Sequence, residues 1–394
     1  MGTASTMACI TAALGLIPLR GGATAAAVSS TRLRIAEETG ALAVKVATGE
    51  PARGLQSILS RESFINAIIV LQAIGGSTNA VVHLLAIVNR HPALQGKITL
   101  QTIDEIGCKV PLLIDLKPSG ENYMTEFHNA GGMLALLHTL RPLLHLEAMT
   151  LTGRTLGETL DATPFRSFPL ANEVIRPLSD PLYPSSSLVV LRGNLAPNGA
   201  VMKASASKDQ RLLKHSGPAC VFENSIDLAA RIDKDDLEVS PESVLILKDI
   251  GPVGNPGMPE AGVIPIPRKL GAKGVKDMLR ISDGRMSGTA GGTIILHVSP
   301  ESAMPESVFA VVRSGDIITC DVEERLLQLS VSEAEIQKRI SERATELKSK
   351  GEAAQGLSES ASRRGYRGLY RRRVNQAHEG ADFDFLTASG PKEW

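Results

Sequence analysis

The 394-residue chain has no net charge to offer a partner: Lys+Arg and Asp+Glu are both 42. That balance argues for neither a nucleic-acid nor an acidic-polymer partner. The basic runs Arg363-Arg364 and Arg371-Arg373 read as solvated faces. Cysteine is scarce and unpaired. Cys9, Cys108, Cys220 and Cys320 form no CxxC, and neither HxxxH nor HExxH occurs, so the spacing supports no local metal motif. At this length and spacing a disulfide framework is not expected, and a cytoplasmic location is the default. No apolar run approaches the ~20 residues of a membrane span. The stretch Met7 to Pro18 is apolar, and the chain up to Arg34 has no acidic residue. A mitochondrial transit peptide would share those traits, but a buried Ala-rich helix ending at Gly21-Gly22 accounts for them better.

What is present points to two domains, the size being comfortable for that number. Helical spacing predicts helices over Arg32–Ala47, Ser60–Ile74, Ala80–Val88 and Met133–Leu140, with a short buried strand at Val110–Leu116. Strand signals then dominate, at Ser187–Leu191, Cys220–Glu223, Val244–Asp249, Thr293–Val298, Val308–Val312, Asp316–Asp321 and Arg325–Val331. Helices are expected around Ser225–Ile232, Gly274–Arg280 and Ser332–Lys348. The change of texture places a boundary near residues 165 to 185. A small, polar stretch from Ala353 to Arg364 reads as a linker before a tail.

Chemistry concentrates between Lys248 and Pro300. Two Gly-rich segments there, GPVGNPGMPE (Gly251 to Glu260) and ISDGRMSGTAGG (Ile281 to Gly292), each carry one reactive side chain, Glu260 and Ser287. Glycine-rich backbone can wrap a small anion, because it reaches positive φ and exposes its N–H groups. Glu260 is a candidate oxygen ligand for a hard divalent ion. Ser287 lies in Gly-x-x-Ser-Gly order, not the GxSxG of a nucleophile elbow, so hydrolase chemistry is not supported. A serine acts as a base only where cations or oriented N–H dipoles stabilise its alkoxide. Simple turns with an exposed glutamate and a capping hydroxyl are the plain alternatives. Ser77, Thr78 and Asn79 join two apolar helices and could hold a carboxylate, or merely cap. Asn194, Asn198 and Lys203 could contact a polyol acid or build a turn. His83, His128 and His297 read as satisfied core histidines.

Taken in order, eight segments resemble signatures of the dihydroxy-acid and sugar-acid dehydratase family (the IlvD/Edd hydro-lyases). They are MGTASTM (Met1–Met7), GGSTNA (Gly75–Ala80), DLKPSG (Asp115–Gly120), LTGRTLGE (Leu151–Glu158), VIRPL (Val174–Leu178), LRGNLAPNGAV (Leu191–Val201), GNPGMPE and SDGRMSGT. The PGMPE form and the tail GADFDFL (Gly380–Leu386) are more similar to the sugar-acid branch. The resemblance implies an α/β chain: residues 1–170 as a remnant of an N-terminal α/β domain, 171–352 as a mainly β, swivelling barrel-like domain with flanking helices, and 353–394 as linker and tail. It implies elimination of water from a 2,3-dihydroxy (aldonic) acid to give a 2-keto-3-deoxy acid. Family cofactors would be Mg²⁺ and a [2Fe-2S] cluster. Ser287 would be the base and Glu260 a metal ligand, with Ser77, Thr78, Asn79 and Arg285 as substrate-binding candidates. The partner would be a small hydroxy acid, and the assembly a homodimer or higher homo-oligomer.

One departure is large. In the family the third cluster cysteine lies just before the MGTASTM motif, where this chain begins. The other cluster cysteines and Mg²⁺ ligands, a carbamylated lysine among them, belong to a preceding segment. Cys9, Cys108, Cys220 and Cys320 match no cluster position. The expectation is therefore that this chain binds no cluster and does not turn over as a dehydratase alone, with apolar surface left uncovered in its first domain. The intact protein would be active if the chain is a fragment. Alternatives are a cluster-free metal-dependent lyase or isomerase, and an inactive homologue serving as an interaction subunit.

Overall fold

The computed structural model describes residues 1–23, 29–49, 54–163, 171–288, 291–353 and 364–391. Its contacts divide into two units, residues 1–80 with 101–188, and residues 81–100 with 189–394. No helix among the described residues is long and apolar enough to cross a membrane.

The first unit is helical. Its centre is the helix Arg61–Ala73, buried continuously from Ser63 to Ala73. The Ser60 hydroxyl accepts from the Ser63 N–H and the Ser63 hydroxyl from the Ser60 N–H, so both orphan donors of the helix start are satisfied. Two buried amides then do the work of backbone. Asn66 pairs with both main-chain groups of His145 at 2.8 and 2.9 Å, and Gln72 with both of Leu188 at 2.9 and 3.1 Å. The apolar N-terminal segment forms the helix Thr3–Ala13 followed by a 3₁₀ turn at Leu19–Ala23. In contrast, the helix Ser30–Thr48 buries only Ile35 and leaves Leu33 and Val44 exposed.

The second unit is built on eight strands: β1 (Val189–Leu191), β2 (Gly199–Met202), β3 (Lys214–Phe222), β4 (Val244–Leu247), β5 (Arg280–Ser282), β6 (Ile294–Ser299), β7 (Ile317–Asp321) and β8 (Leu326–Leu329). They lie in the order β1-β2-β6-β5-β4-β3-β7-β8, with the central β3, β4, β5 and β6 parallel. The outer strands nearly close the sheet into a barrel. Arg192 bridges Leu326, and the Asn194 side chain pairs with both backbone groups of Leu329 at 2.7 and 2.9 Å. Asn194 is thus a structural residue of the closure. Every strand sends apolar side chains into one buried cluster, among them Leu191, Met202, Val221, Ile246, Ile281, Ile295, Ile318 and Leu327. The alternation of strand residues puts Leu245, Leu247 and Phe222 on the outside, where they pack with Leu228, Ile232 and Leu270 from flanking helices. The fold is therefore α/β with a barrel-like sheet.

Several expected elements differ. Val308–Val312 is valine-rich but forms a 3₁₀ turn at Phe309–Val311, and Gly274–Arg280 contains no helix. Arg280 instead opens β5. Val110–Leu116 makes only isolated bridges, through Leu112, Ile114 and Leu116. Residues 164–170 of the expected boundary and 354–363 of the expected linker lie outside the described residues. Beyond them the tail returns to the second unit. Gly380, at φ +106°, sits so close to the helix Asn79–Asn89 that a Cβ would come within 2.5 Å of the Ala86 nitrogen. Arg90, just past that helix, forks onto Asp382 at 2.6 and 2.8 Å.

Candidate active site

Parallel strands deliver their loops at the same end, and in such sheets ligands are held there. The two Gly-rich segments follow neighbouring parallel strands: Gly251–Glu260 comes after β4, and Asp283–Gly288 after β5. Buried polar groups tie them together. The Asp283 carboxylate, fully buried, accepts from the Ile250 N–H at 3.2 Å and from the N–H and hydroxyl of Ser302. Burial pushes its acid up, while these donors pull the other way. The Ser302 hydroxyl accepts in turn from the Asp249 N–H at 2.8 Å.

The loop that carries Glu260 is gripped at both polarities. Glu301 accepts from the Val253 and Gly254 N–H groups, each at 2.8 Å, and from the Gln376 amide at 2.8 Å. Burial and then the Asp283 charge raise Glu301 to about 7. Arg371 donates to the Val253 and Gly254 carbonyls at 2.9 and 3.1 Å. Arg285 completes the link, because its Nε donates to the Met258 carbonyl while its own carbonyl accepts from the Gly262 N–H at 2.8 Å. Glu260 is thus flanked on both sides by contacts to Arg285. It is exposed, and Ser287 is half-buried two residues beyond Arg285.

Downstream of Ser287 a buried ion pair anchors the return. Asp277 holds Arg280 at 2.8 Å, the Thr293 hydroxyl at 2.8 Å and the Thr293 N–H at 2.9 Å. His83, on the helix Asn79–Asn89, stands by the same group. Burial, then the Arg285 charge, hold its imidazole below the usual range, with Glu260 pulling it up.

Glu260, Arg285 and Ser287 therefore all lie on the two loops of the second unit, and His83 feels the charges of Arg285 and Glu260. Ser77, Thr78 and Asn79 belong to the first unit. The Ser77 N–H donates to the Thr6 hydroxyl at 3.1 Å, its hydroxyl meets that of Thr3 at 3.1 Å, and the Asn79 amide donates to Thr3 at 2.9 Å. These contacts pin the inter-helix turn to the first helix.

Two buried bases stand out from their sequence reading. Lys203 lies just after β2, on the face opposite Met202 and the barrel interior. Its amine has no hydrogen-bond partner among the described residues, and burial pushes it down to about 7. His297 on β6 is a buried histidine, yet neither ring nitrogen has a partner among the described residues. Burial, then Arg285 and His83, push it down to about 3. Leaving such groups unsatisfied costs on the order of 1–3 kcal/mol each. No local sequence signal separates them from ordinary core residues.

The cysteines do not fit a cluster. Two lie in each unit, and no group of three or more His, Cys, Asp or Glu among the described residues is placed to hold a metal ion. The Cys9 thiol donates to the Gly22 carbonyl at 3.1 Å, and burial raises it to about 12, as it does Cys320. A cluster ligand must be a thiolate. Glu260, by contrast, is an accessible carboxylate of the kind Mg²⁺ accepts, since that ion commonly takes one or two carboxylates and fills its shell with water and substrate.

Comparison with known proteins identifies the family. Residues 1–159 match the model for dihydroxy-acid/6-phosphogluconate dehydratase N-terminal, and residues 173–381 the model for the C-terminal part. The chain is 43% identical over 385 residues to an L-arabonate dehydratase of Azospirillum brasilense, covering 97% of this chain and 63% of that protein. It is 41% identical over 391 residues to a 6-deoxy-6-sulfo-D-gluconate dehydratase of Pseudomonas putida, covering 98% and 63%. A dihydroxy-acid dehydratase of Methanosarcina acetivorans is 37% identical over 385 residues, covering 98% and 65%. The chain thus spans somewhat less than two thirds of the length of these relatives. With both family models matched in order, the chain belongs to the dihydroxy-acid/6-phosphogluconate dehydratase family.

Proposed function

We propose that this chain carries the proton-abstracting part of a hydro-lyase that converts a 2,3-dihydroxy sugar acid to a 2-keto-3-deoxy acid. The observation that carries the proposal is the cross-tied pair of loops after β4 and β5, which carry Glu260, between two contacts to Arg285, and Ser287, two residues beyond it. The sugar-acid assignment is supported by relatives named for aldonates at 41% and 43% identity, against 37% for one named for a dihydroxy acid.

The C2 proton beside a carboxylate is very weakly acidic, so a base alone removes it slowly. Ser287, as its alkoxide, takes that proton: the C2–H bond breaks, an O–H bond forms, and the electron pair moves toward the carboxylate. Arg285 stands two residues away and supplies positive charge that favours both the alkoxide and the developing anion. Glu260 would hold Mg²⁺, which when bound would supply positive charge to favour the developing anion. The described cysteines do not fit a [2Fe-2S] cluster.

Exchange of the C2 proton tests this half of the reaction by itself. The chain, Mg²⁺ and an aldonate in D₂O should lose the C2–H signal in proton NMR spectra. Ser287→Ala should slow that exchange by at least ~100-fold, the usual scale of a lost general base. Binding without exchange in the unsubstituted chain would sink the proposal.

A further inference from the structure

His297 sits at a break in the strand pairing. Along β6 and β2, Leu296 faces Val201 while Ser299 faces Gly199, so three steps on β6 match two on β2. The extra residue makes a bulge, and His297 sits in it at φ +59°, a left-handed conformation uncommon outside glycine in which Asn, Asp and His are enriched. Its N–H is secured to the Gly284 carbonyl at 3.0 Å, in the loop that leads to Ser287.

The bulge decides where the ring goes. Ile295 and Val298 both point into the barrel core, and Leu296 points out, to a small cluster with Met286 and Ile294. Regular alternation from Ile295 would have turned residue 297 inward. The extra residue gives two consecutive outward positions instead, and His297 takes the second. Its charged neighbours there are Arg285 and His83, the groups that also surround Glu260. A buried imidazole thus lies among the charges of the candidate site, with both nitrogens unpartnered among the described residues.

Nothing in the packing of the described residues uses those nitrogens. We propose that His297 is a substrate-contacting residue that takes hydroxyl groups of the sugar acid, one ring nitrogen donating and the other accepting. This rests on the sugar-acid reading above and deepens it. A neutral imidazole suits the role, because hydroxyls both donate and accept while a carboxylate would call for a cation. A site that hydrogen-bonds hydroxyls discriminates strongly against analogues lacking them, since its own polar groups are then left unpaired.

The test measures binding by calorimetry in the presence of Mg²⁺, with D-gluconate as the polyol acid and lactate as the short one. His297→Gly removes the ring at a backbone angle glycine prefers, and His297→Asn keeps the left-handed angle with a shorter side chain. Each should weaken gluconate binding about tenfold or more while changing lactate binding less than about twofold, and free imidazole should restore part of the loss in His297→Gly. In the unsubstituted chain, gluconate should shift the imidazole ¹⁵N resonances that vanish in His297→Gly. Equal gluconate affinity in folded variants, or unmoved ring resonances, would overturn the role of His297 and leave the proposed function standing. Absence of gluconate binding in the unsubstituted chain would overturn both.

Discussion

Replacing Lys203 with methionine should stabilise the protein, against the usual direction for a buried substitution. Burial takes the amine from its ordinary 10.5 to about 7, with no hydrogen-bond partner among the described residues to offset the lost water. At about 1.36 kcal/mol per tenfold change in proton affinity, that fall amounts to roughly 5 kcal/mol. The sign follows from proton counting. Between 7 and 10.5 the unfolded chain binds the proton and the folded one does not, so stability rises with pH across that window. The penalty is full below pH 7 and gone above 10.5. Methionine keeps an unbranched stem and has no charge to desolvate. Urea unfolding of both proteins at several pH values should show the variant more stable by several kcal/mol at neutral pH, the gap closing as pH rises toward 10. The difference between the proteins is the quantity to follow, because the buried thiols of Cys9 and Cys320, raised to about 12, oppose the trend above pH 9 in both. A variant no more stable at pH 7, or a gap that stays flat with pH, would refute the reasoning.

Asp277→Ala should cost about 3–5 kcal/mol in urea unfolding, because it strands the buried Arg280 charge and removes the acceptor for Thr293. Thiol titration of the native protein should find Cys108 reacting fast and the buried Cys9, Cys220 and Cys320 only after denaturant; prompt reaction of all four thiols would contradict their burial.

The glycine-rich loops were legible in sequence because they depart from ordinary composition, and the structure shows why that composition is used. A Cβ at Gly284 would meet Ile250 at 2.6 Å, and one at Gly254 would meet Asp249 at 2.5 Å. Loops packed this tightly announce themselves. The apolar strand runs were legible through their burial, which is why β4 and β6 appeared near their true limits. Two strands were not: β2 starts with a glycine, and β5 begins at the end of the stretch Gly274–Arg280 read as a helix. Val308–Val312 had the strand composition, yet no strand ladder forms there, and its Val308–Val311 turn closes locally. Lys203 and His297 escaped for a different reason. Their importance lies in what they fail to touch, and a missing partner leaves no pattern along the chain.

The clamps on the Glu260 loop also bear on how such a site can be altered. Asp283 and Ser302 fasten the two loops to each other, and Glu301 and Arg371 fasten one of them to its surroundings. The backbone where both loops leave their strands is therefore held by the barrel itself. Under the proposed function, substitutions meant to change which acid is taken should leave residues 249–260 and 282–288 untouched. They belong at His297 and on the His83 helix, outside the clamped loops.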